Sequence, residues 1–168
     1  MANTFELIAS VTVGSGGSAS IDFTSIPSTY TDLVLKTCTR FADTTTDPKI
    51  SINGSTTTFT RRHIQGNGTA ASSGSGSDGW IGTTDGSGQT ASTFGNSEVY
   101  LPNYTAATNK SYSVDTVSEN NASDAKATLL AGLWSTTSTI SSISISALSG
   151  SANFVQYSTA YLYGVKNA

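Results

Sequence analysis

The sequence predicts an all-β protein that folds as an antiparallel two-sheet β-sandwich, with a jelly roll as the leading topology. Apolar and polar residues alternate with a period of two along the whole chain, whereas helical spacing is hard to find. Roughly eight to ten such runs follow one another at short intervals, which is typical of sandwiches. Glycine- and asparagine-rich turn signals separate the runs.

The N-terminal part of the chain predicts three strands. Residues 5–13 alternate, with Phe5, Leu7, Ala9, Val11 and Val13 assigned to one face. The glycine-rich segment 14–17 breaks this run, and residues 20–23 resume it, which predicts an N-terminal hairpin. Residues 32–41 form the next strand, whose apolar start favours a central position in a sheet.

The middle of the chain combines a strong turn signal with a long segment of low complexity. Asn53-Gly54 lies between the β-prone runs 49–52 and 57–64, which predicts a hairpin. From about residue 66 to residue 96 the sequence is rich in Gly, Ser and Thr. We expect a long loop there, either functional or mobile.

Further strands are predicted at 98–101, 111–118, 140–148 and 153–165. Alanine and leucine in residues 125–134 could suit a helix, but Gly132 and the surrounding β pattern favour a buried strand. The N- and C-terminal strands are the longest, so we expect them to lie centrally and side by side. The length of 168 residues indicates a single domain spanning residues 1–168.

Charged residues are unusually scarce. The chain has 8 Lys+Arg and 11 Asp+Glu, so 11% of its residues are charged and the net charge is -3, against about 25% charged residues in ordinary domains. This excludes the basic footprint of a nucleic-acid binder. No apolar run approaches the roughly 20 residues of a membrane helix, and no signal peptide is evident. Hydroxyl side chains replace charges, which suits surfaces that pack against other subunits because little rotamer entropy is lost there.

The sequence predicts no catalytic residues, no cofactor and no metal site. His63 is the only histidine, and we interpret it as a surface or interface residue. Cys38 is interpreted as a buried or half-buried, inert thiol. Asp43, Asp47, Asp78 and Asp85 could supply calcium ligands, but none lies in a recognised calcium-loop pattern. We therefore expect that the protein is not an enzyme.

The long loop contains the candidate interaction residues. Trp80 and Ile81 are its only bulky apolar pair, and Asp78 and Asp85 flank them. In a binding module this segment would be a recognition loop, whereas in an assembled shell it would be ordered against a neighbouring subunit. Tyr157, Tyr161 and Tyr163 offer a second candidate: a sugar-stacking platform, or core or subunit-interface residues.

Four segments resemble small virion proteins of tailed bacteriophages, especially marine and cyanobacterial phages. These segments are residues 5–13, 21–35, 50–55 and 154–165. The resemblance implies a virion structural protein without catalytic residues. We expect a capsid decoration protein that acts as a homo-oligomer, most simply a trimer, on the major capsid protein.

Two alternatives to capsid decoration stay open. The first is a tail-fibre or receptor-binding module that contacts host surface glycans. The second is a virion-associated glycan hydrolase, which is the outside hypothesis. In each case we expect the chain to be located in the virion, and we expect neither nucleic acid nor membrane as its partner.

Overall fold

The computed structural model describes residues 4–44, 47–121 and 125–166, which form eleven β-strands and no helix. Among these residues there is accordingly no helical segment that could cross a membrane. The strands are β1 (Phe5–Thr12), β2 (Ser20–Phe23), β3 (Asp32–Thr39), β4 (Pro48–Ile52), β5 (Phe59–Gly66), β6 (Ala71–Gly76), β7 (Gly95–Leu101), β8 (Lys110–Ser118), β9 (Lys126–Trp134), β10 (Ile143–Ala147) and β11 (Thr159–Val165).

The strands form two antiparallel sheets, which confirms the predicted all-β sandwich. The large sheet has eight strands in the order β1-β11-β3-β7-β8-β9-β5-β6, and the small sheet has three in the order β2-β10-β4. A jelly roll has eight strands arranged as two Greek keys. The division into eight and three strands, with β7, β8 and β9 adjacent in sequence and in space, does not follow that pattern.

The first and last strands lie side by side as expected, but at an edge of the large sheet. β1 pairs with β11 along its length, and β3 lies third in the order, in the sheet interior. β1 itself is the edge strand, so the expected central position was wrong for it. The predicted N-terminal hairpin was also wrong, since β2 pairs with β10 in the other sheet.

A β-bulge in β1 moves its apolar residues to two different faces. The pairing with β11 shifts between Leu7 and Ala9, so one extra residue, Ile8, is accommodated there. Such an insertion reverses the side-chain alternation beyond it. Phe5 and Leu7 therefore point away from the core, whereas Ala9 and Val11 pack against it. The predicted single apolar face is wrong for this reason.

Asn53-Gly54 makes the predicted tight turn without the predicted hairpin. Both residues have positive φ, 51° and 74°, and Ile52 and Ser55 exchange backbone hydrogen bonds of 3.1 and 2.9 Å across them. The strands on either side then separate: β4 pairs with β10, whereas β5 pairs with β6 and β9. The turn thus connects the two sheets.

The expected long loop at 66–96 is largely ordered. It contains β6, which pairs with β5. Residues 79–81 then run beside β4, with the N–H of Ile50 donating to the Gly79 carbonyl at 2.8 Å and the N–H of Ile81 donating to the Pro48 carbonyl at 3.1 Å.

The core lies between the two sheets. The small sheet contributes isoleucines from all three strands, including Ile21, Ile50 and Ile145, and the large sheet contributes Leu33, Leu35, Val99 and Leu162, among other residues. The small sheet spans fewer strands than the large one. Part of the remaining inner surface of the large sheet is covered by the segment 79–85, where Ser97 Oγ donates to the Ile81 carbonyl at 3.2 Å.

Candidate functional site

The outer face of the large sheet is its surface pointing away from the small sheet, and no other layer of the described chain covers it. Residues at alternate positions of β8 and β9 are exposed there, while their neighbours are buried. The outer face nevertheless carries several large apolar side chains that are more than a third exposed. These are Phe5, Leu7, Ile64, Tyr100, Val117, Leu129 and Tyr161.

The most exposed of these residues border a shallow groove, which we call the outer groove. It has a volume of about 690 Å³. Ile64 and Leu129 lie directly opposite each other on β5 and β9, and their side chains are 60% and 55% exposed. Exposed apolar side chains in contact with one another lower the free energy of binding when a partner covers them.

The outer groove is also lined by small and polar side chains. Arg62 lies beside Ala131 on β9 and beside Ser75 on β6. Its guanidinium Nη1 donates to the backbone carbonyl of Arg61 at 3.0 Å. The groove thus combines the side chains of Ile64 and Leu129, one cation and several hydroxyl groups.

An ion pair lies in the middle of the outer face, and the exposed Asp115 of β8 lies opposite its carboxylate member, Glu98. Lys36 Nζ lies 2.8 Å from Glu98 Oε2 across β3 and β7, with both side chains about half exposed. The hydrogen bond to Glu98 and its negative charge raise the pKa of Lys36 above the usual 10.5. Such an exposed pair contributes little to folding stability.

The tyrosines singled out from the sequence are exposed. Tyr157 is 67% exposed in the loop before β11, and Tyr161 on β11 is 37% exposed on the outer face. Tyr163 lies on the same face, opposite Leu7 of β1. The interpretation of these residues as core is therefore wrong for Tyr157 and Tyr161, and the interface and sugar-stacking interpretations remain.

β6 forms the edge of the large sheet next to the outer groove. It pairs with β5 on one side, and no described strand pairs with its other side. Its sequence is Ala-Ser-Ser-Gly-Ser-Gly, and Ala71, Ser72, Ser73 and Ser75 are exposed. The outer groove is thus bordered by a free strand edge made of small residues.

A compact cluster on the inner face stabilises this edge. The Arg61 guanidinium is held by both carboxylate oxygens of Asp78, at 2.6 and 3.1 Å. Its Cζ lies 4.5 Å from the centroid of the Trp80 ring. His63 contacts both residues, with Nδ1 3.0 Å from Arg61 Nη1 and ring centroid 4.9 Å from that of Trp80.

The pKa values of two titratable groups in this cluster, His63 and Asp78, are shifted. Burial and the neighbouring charge of Arg61 lower the pKa of His63 below its usual 6.5, against the opposing effect of Asp78. Burial would raise the pKa of Asp78, but hydrogen bonds from Arg61 and from the Trp80 backbone outweigh it and lower the pKa below 3.8. The cluster is thus built around a neutral imidazole and an ionised pair.

The candidate interaction residues of the predicted loop lie mostly inside the protein. Trp80 is 6% exposed, and Ile81 and Asp85 are fully buried. The Trp80 indole Nε1 donates to Asp47 Oδ2 at 3.0 Å. These three side chains therefore stabilise the fold from within, and of the four candidates only Asp78 is partly accessible.

Asp85 is the anchor of the segment that crosses the inner face. Its Oδ1 accepts hydrogen bonds of 2.7 Å from both Ser118 Oγ and Asn120 Nδ2, and its carbonyl accepts the Phe41 N–H at 2.9 Å.

In the described residues no group of three or more His, Cys, Asp or Glu side chains could hold a metal ion.

Cys38 lies on the outer face of β3 and is exposed. The interpretation as a buried or half-buried thiol was wrong, because the alternation in β3 puts Thr37 and Thr39 inside instead. Partial desolvation raises the pKa of the Cys38 thiol above 9.0, so little reactive thiolate forms near neutral pH.

Sequence reasoning missed Ile64 and Leu129 as surface residues. Residues 125–134 were predicted to be a buried strand. The strand is confirmed as β9 (Lys126–Trp134), but one of its faces is exposed, and the apolar run Leu129-Leu130-Ala131 gives no indication of which side faces solvent. Only the register with β5 and β8 puts Leu130 inside and Leu129 outside.

Comparisons of this chain with models of known protein families, with curated proteins and with solved structures found no match.

Proposed function

We propose that this chain is a structural protein of a bacteriophage virion and that it acts by packing against copies of itself and against neighbouring virion proteins. The observation that carries the proposal is the outer face of the large sheet, where Ile64 and Leu129 are exposed side by side. Tyr161 is exposed on the same face, on the far side of β3, β7 and β8. A surface of this kind is stabilised when another protein covers it. The resemblance of four segments to phage virion proteins supports the location.

A capsid decoration protein fits these features best. Such a protein needs broad, nearly neutral surfaces that contact neighbours at fixed angles. On the outer face Lys36 and Glu98 form an ion pair, and serine and threonine are frequent among the exposed residues of the described chain. Fixing these short side chains at an interface costs less rotamer entropy than fixing lysine or glutamate. The expected partners are other copies of this chain and the major capsid protein.

A tail-fibre or receptor-binding module is the second candidate, and the exposed tyrosines favour it. Tyr157 and Tyr161 are 67% and 37% exposed, and a tyrosine ring combines an apolar face with a hydroxyl group, as sugar recognition requires. In this role the outer face would contact host surface glycans. Both functions are non-catalytic.

The copy number in purified particles tests the proposal. A decoration protein is expected in hundreds of copies over the shell, and a tail protein in small multiples of three or six at one vertex. Cryo-electron microscopy and quantitative mass spectrometry of the particles measure both quantities. Absence of the chain from purified particles would overturn the virion proposal.

A further inference from the structure

The free edge of β6 presents backbone groups that pair with no described part of the chain. The turn before β6 is closed by the Asn67 N–H donating to the Ala70 carbonyl at 3.2 Å. Hydrogen-bonded and non-hydrogen-bonded pairs alternate along an antiparallel ladder. Ala70, Ser72, Gly74 and Gly76 therefore bond towards β5, while Ala71, Ser73 and Ser75 direct N–H and C=O groups outwards.

The opposite edge of the large sheet is protected, whereas the β6 edge is not. β1 contains a bulge between Leu7 and Ala9, and an ion pair joins Glu6 to Lys166 beside it at 3.2 Å. Bulges and charges are common means of preventing strand addition at an edge. The register of β6 with β5 is regular over all six residues, and its sequence contains no charge and no proline.

We propose that β6 pairs antiparallel with β6 of a second copy of this chain, around a two-fold axis at Ser73. In this register Ser73 lies opposite Ser73 of the second copy, and Ala71 lies opposite Ser75. All three outward-facing residues of each strand then exchange hydrogen bonds. The pairing joins the large sheets of two copies edge to edge. It rests on the proposed structural role and adds to it by naming the surface through which copies join.

The side chains around β6 permit this approach. Ala71, Ser73 and Ser75 are small, and Arg62 flanks Ser75 on the outer face. Because Ser75 would pair with Ala71 of the second copy, the two Arg62 side chains would lie at opposite ends of the contact and would not face each other. On the inner face the Arg61 and His63 side chains lie over Gly76 and Gly74, so they fix β6 without projecting past the edge.

The first test is the molar mass of the full chain and its variants, measured by light scattering over a range of concentrations. Ser73→Pro removes one outward N–H and leaves the bonds between β5 and β6 intact, since proline is tolerated at the solvent side of an edge strand. Ser73→Lys sets two like charges against each other across the axis. The two-fold pairing gives the wild type the mass of two chains, in place of the three expected for a trimer, and both variants should halve that mass. Ser10→Pro in the exposed edge of β1 is the matched control and should leave the mass unchanged.

The second test is disulfide trapping, which detects the pairing of two β6 strands directly and does not depend on a variant that weakens it. Directly opposed, hydrogen-bonded residues of antiparallel strands have Cα atoms about 5.5 Å apart, within the roughly 4.4–6.8 Å that a disulfide spans. In a Cys38→Ser background, Ser73→Cys should form covalent dimers under mild oxidation many times faster than Ser10→Cys. Reduction should reverse the cross-link.

The two tests give outcomes that separate this pairing from the virion proposal. A monomeric wild type, or an assembly whose mass is unaffected by Ser73→Pro and Ser73→Lys, overturns the β6 pairing. Equal cross-linking of Ser73→Cys and Ser10→Cys overturns it as well. In these cases the structural role still stands if particles contain the chain. Conversely, if the two tests show β6 pairing but the chain is absent from purified particles, the pairing stands and the proposed virion role is overturned.

Discussion

Gly74 of β6 lies directly opposite His63 of β5, and the imidazole occupies the space that a side chain at position 74 would need. A Cβ atom built on Gly74 would lie 2.7 Å from Cε1 of His63, and one on Gly76 would lie 2.7 Å from Cζ of Arg61. The alternating glycines of β6 therefore have a structural reason. They allow Arg61 and His63 to lie flat across the edge strand and to meet Asp78 and Trp80.

We expect Gly74→Ala to lower the free energy of unfolding by about 1–3 kcal/mol, the usual cost of forcing extra volume into a packed site. The His63 ring cannot move away freely because it is packed against Trp80 and Arg61. Urea denaturation followed by tryptophan fluorescence measures the change. Gly16→Ala is the control, since no atom lies within 4 Å of its new Cβ, and it should change stability by less than about 1 kcal/mol. Equal effects of the two substitutions would contradict the packing argument.

The sequence predicted most strands correctly because alternation is a local property. It could not predict which strands pair. Asn53-Gly54 specifies its own turn through positive φ at both residues. The strands that pair with β4 and β5, β10 and β9, are distant in the sequence, so the turn does not determine the pairing. The sequence does not specify the bulge either: Leu7-Ile8-Ala9 interrupts the alternation, but only the register with β11 shows that Ile8 is the extra residue.

The interaction site was harder to predict than the fold. Trp80 and Ile81 were prominent because they are bulky residues in a glycine- and serine-rich segment, but bulk there signals burial against β4. The surface that is exposed, with Ile64 and Leu129 side by side, includes β9, in which the outward Leu129 directly precedes the inward Leu130. Composition alone does not separate these two faces.

Asn53→Ala should destabilise the protein by about 2.5–4 kcal/mol, in the lower part of the summed range because the lost bonds are exposed to solvent. The side chain of Asn53 joins the turn to the chain before β10: Oδ1 accepts from the N–H groups of Ser141 and Ser142 at 2.8 and 3.1 Å, and Nδ2 donates to the Thr139 carbonyl at 2.8 Å. Alanine loses these bonds, each worth about 0.5–1.5 kcal/mol, and is strained at φ 51° by about 1–2 kcal/mol.

Asn53→Gly separates these two contributions, because glycine adopts positive φ without strain but makes no side-chain bonds. We expect it to be more stable than Asn53→Ala by about 1 kcal/mol, as measured by thermal and urea unfolding. If Asn53→Gly were the less stable variant, backbone strain would not contribute at this turn.

Asp78→Asn should reduce stability by about 1 kcal/mol at neutral pH, since it removes a two-point ion pair with Arg61 that is partly exposed to solvent. The pKa of Asp78 is lowered in the folded protein. Ionised Asp78 therefore contributes to folding stability at any pH above 3.8, the pKa of the unfolded state. This contribution is lost as the pH falls through the lower pKa of the folded state. The difference between wild type and variant should shrink in this acid range when unfolding is followed in urea.

The control for Asp78→Asn is Glu98→Gln, which removes the more exposed ion pair with Lys36. We expect that change to alter stability by less than about 0.5 kcal/mol. A larger effect from Glu98→Gln than from Asp78→Asn would show that partial burial does not strengthen the Arg61–Asp78 pair.

His63→Gln should flatten the pH dependence of stability in the range that begins near pH 6.5 and extends below it. Burial and the charge of Arg61 lower the pKa of His63 in the folded state, so the unfolded chain binds a proton first as the pH falls. Wild-type stability should therefore decrease as the pH falls from above 6.5, the unfolded value, and level off below the folded pKa. His63 is the only histidine of the chain, so urea midpoints at several pH values can assign this change to one residue. Cys38→Ser is the control and should retain the wild-type dependence of stability on pH. A pKa of His63 at or above 6.5 in NMR titrations of the folded protein would contradict the expected lowering of this pKa.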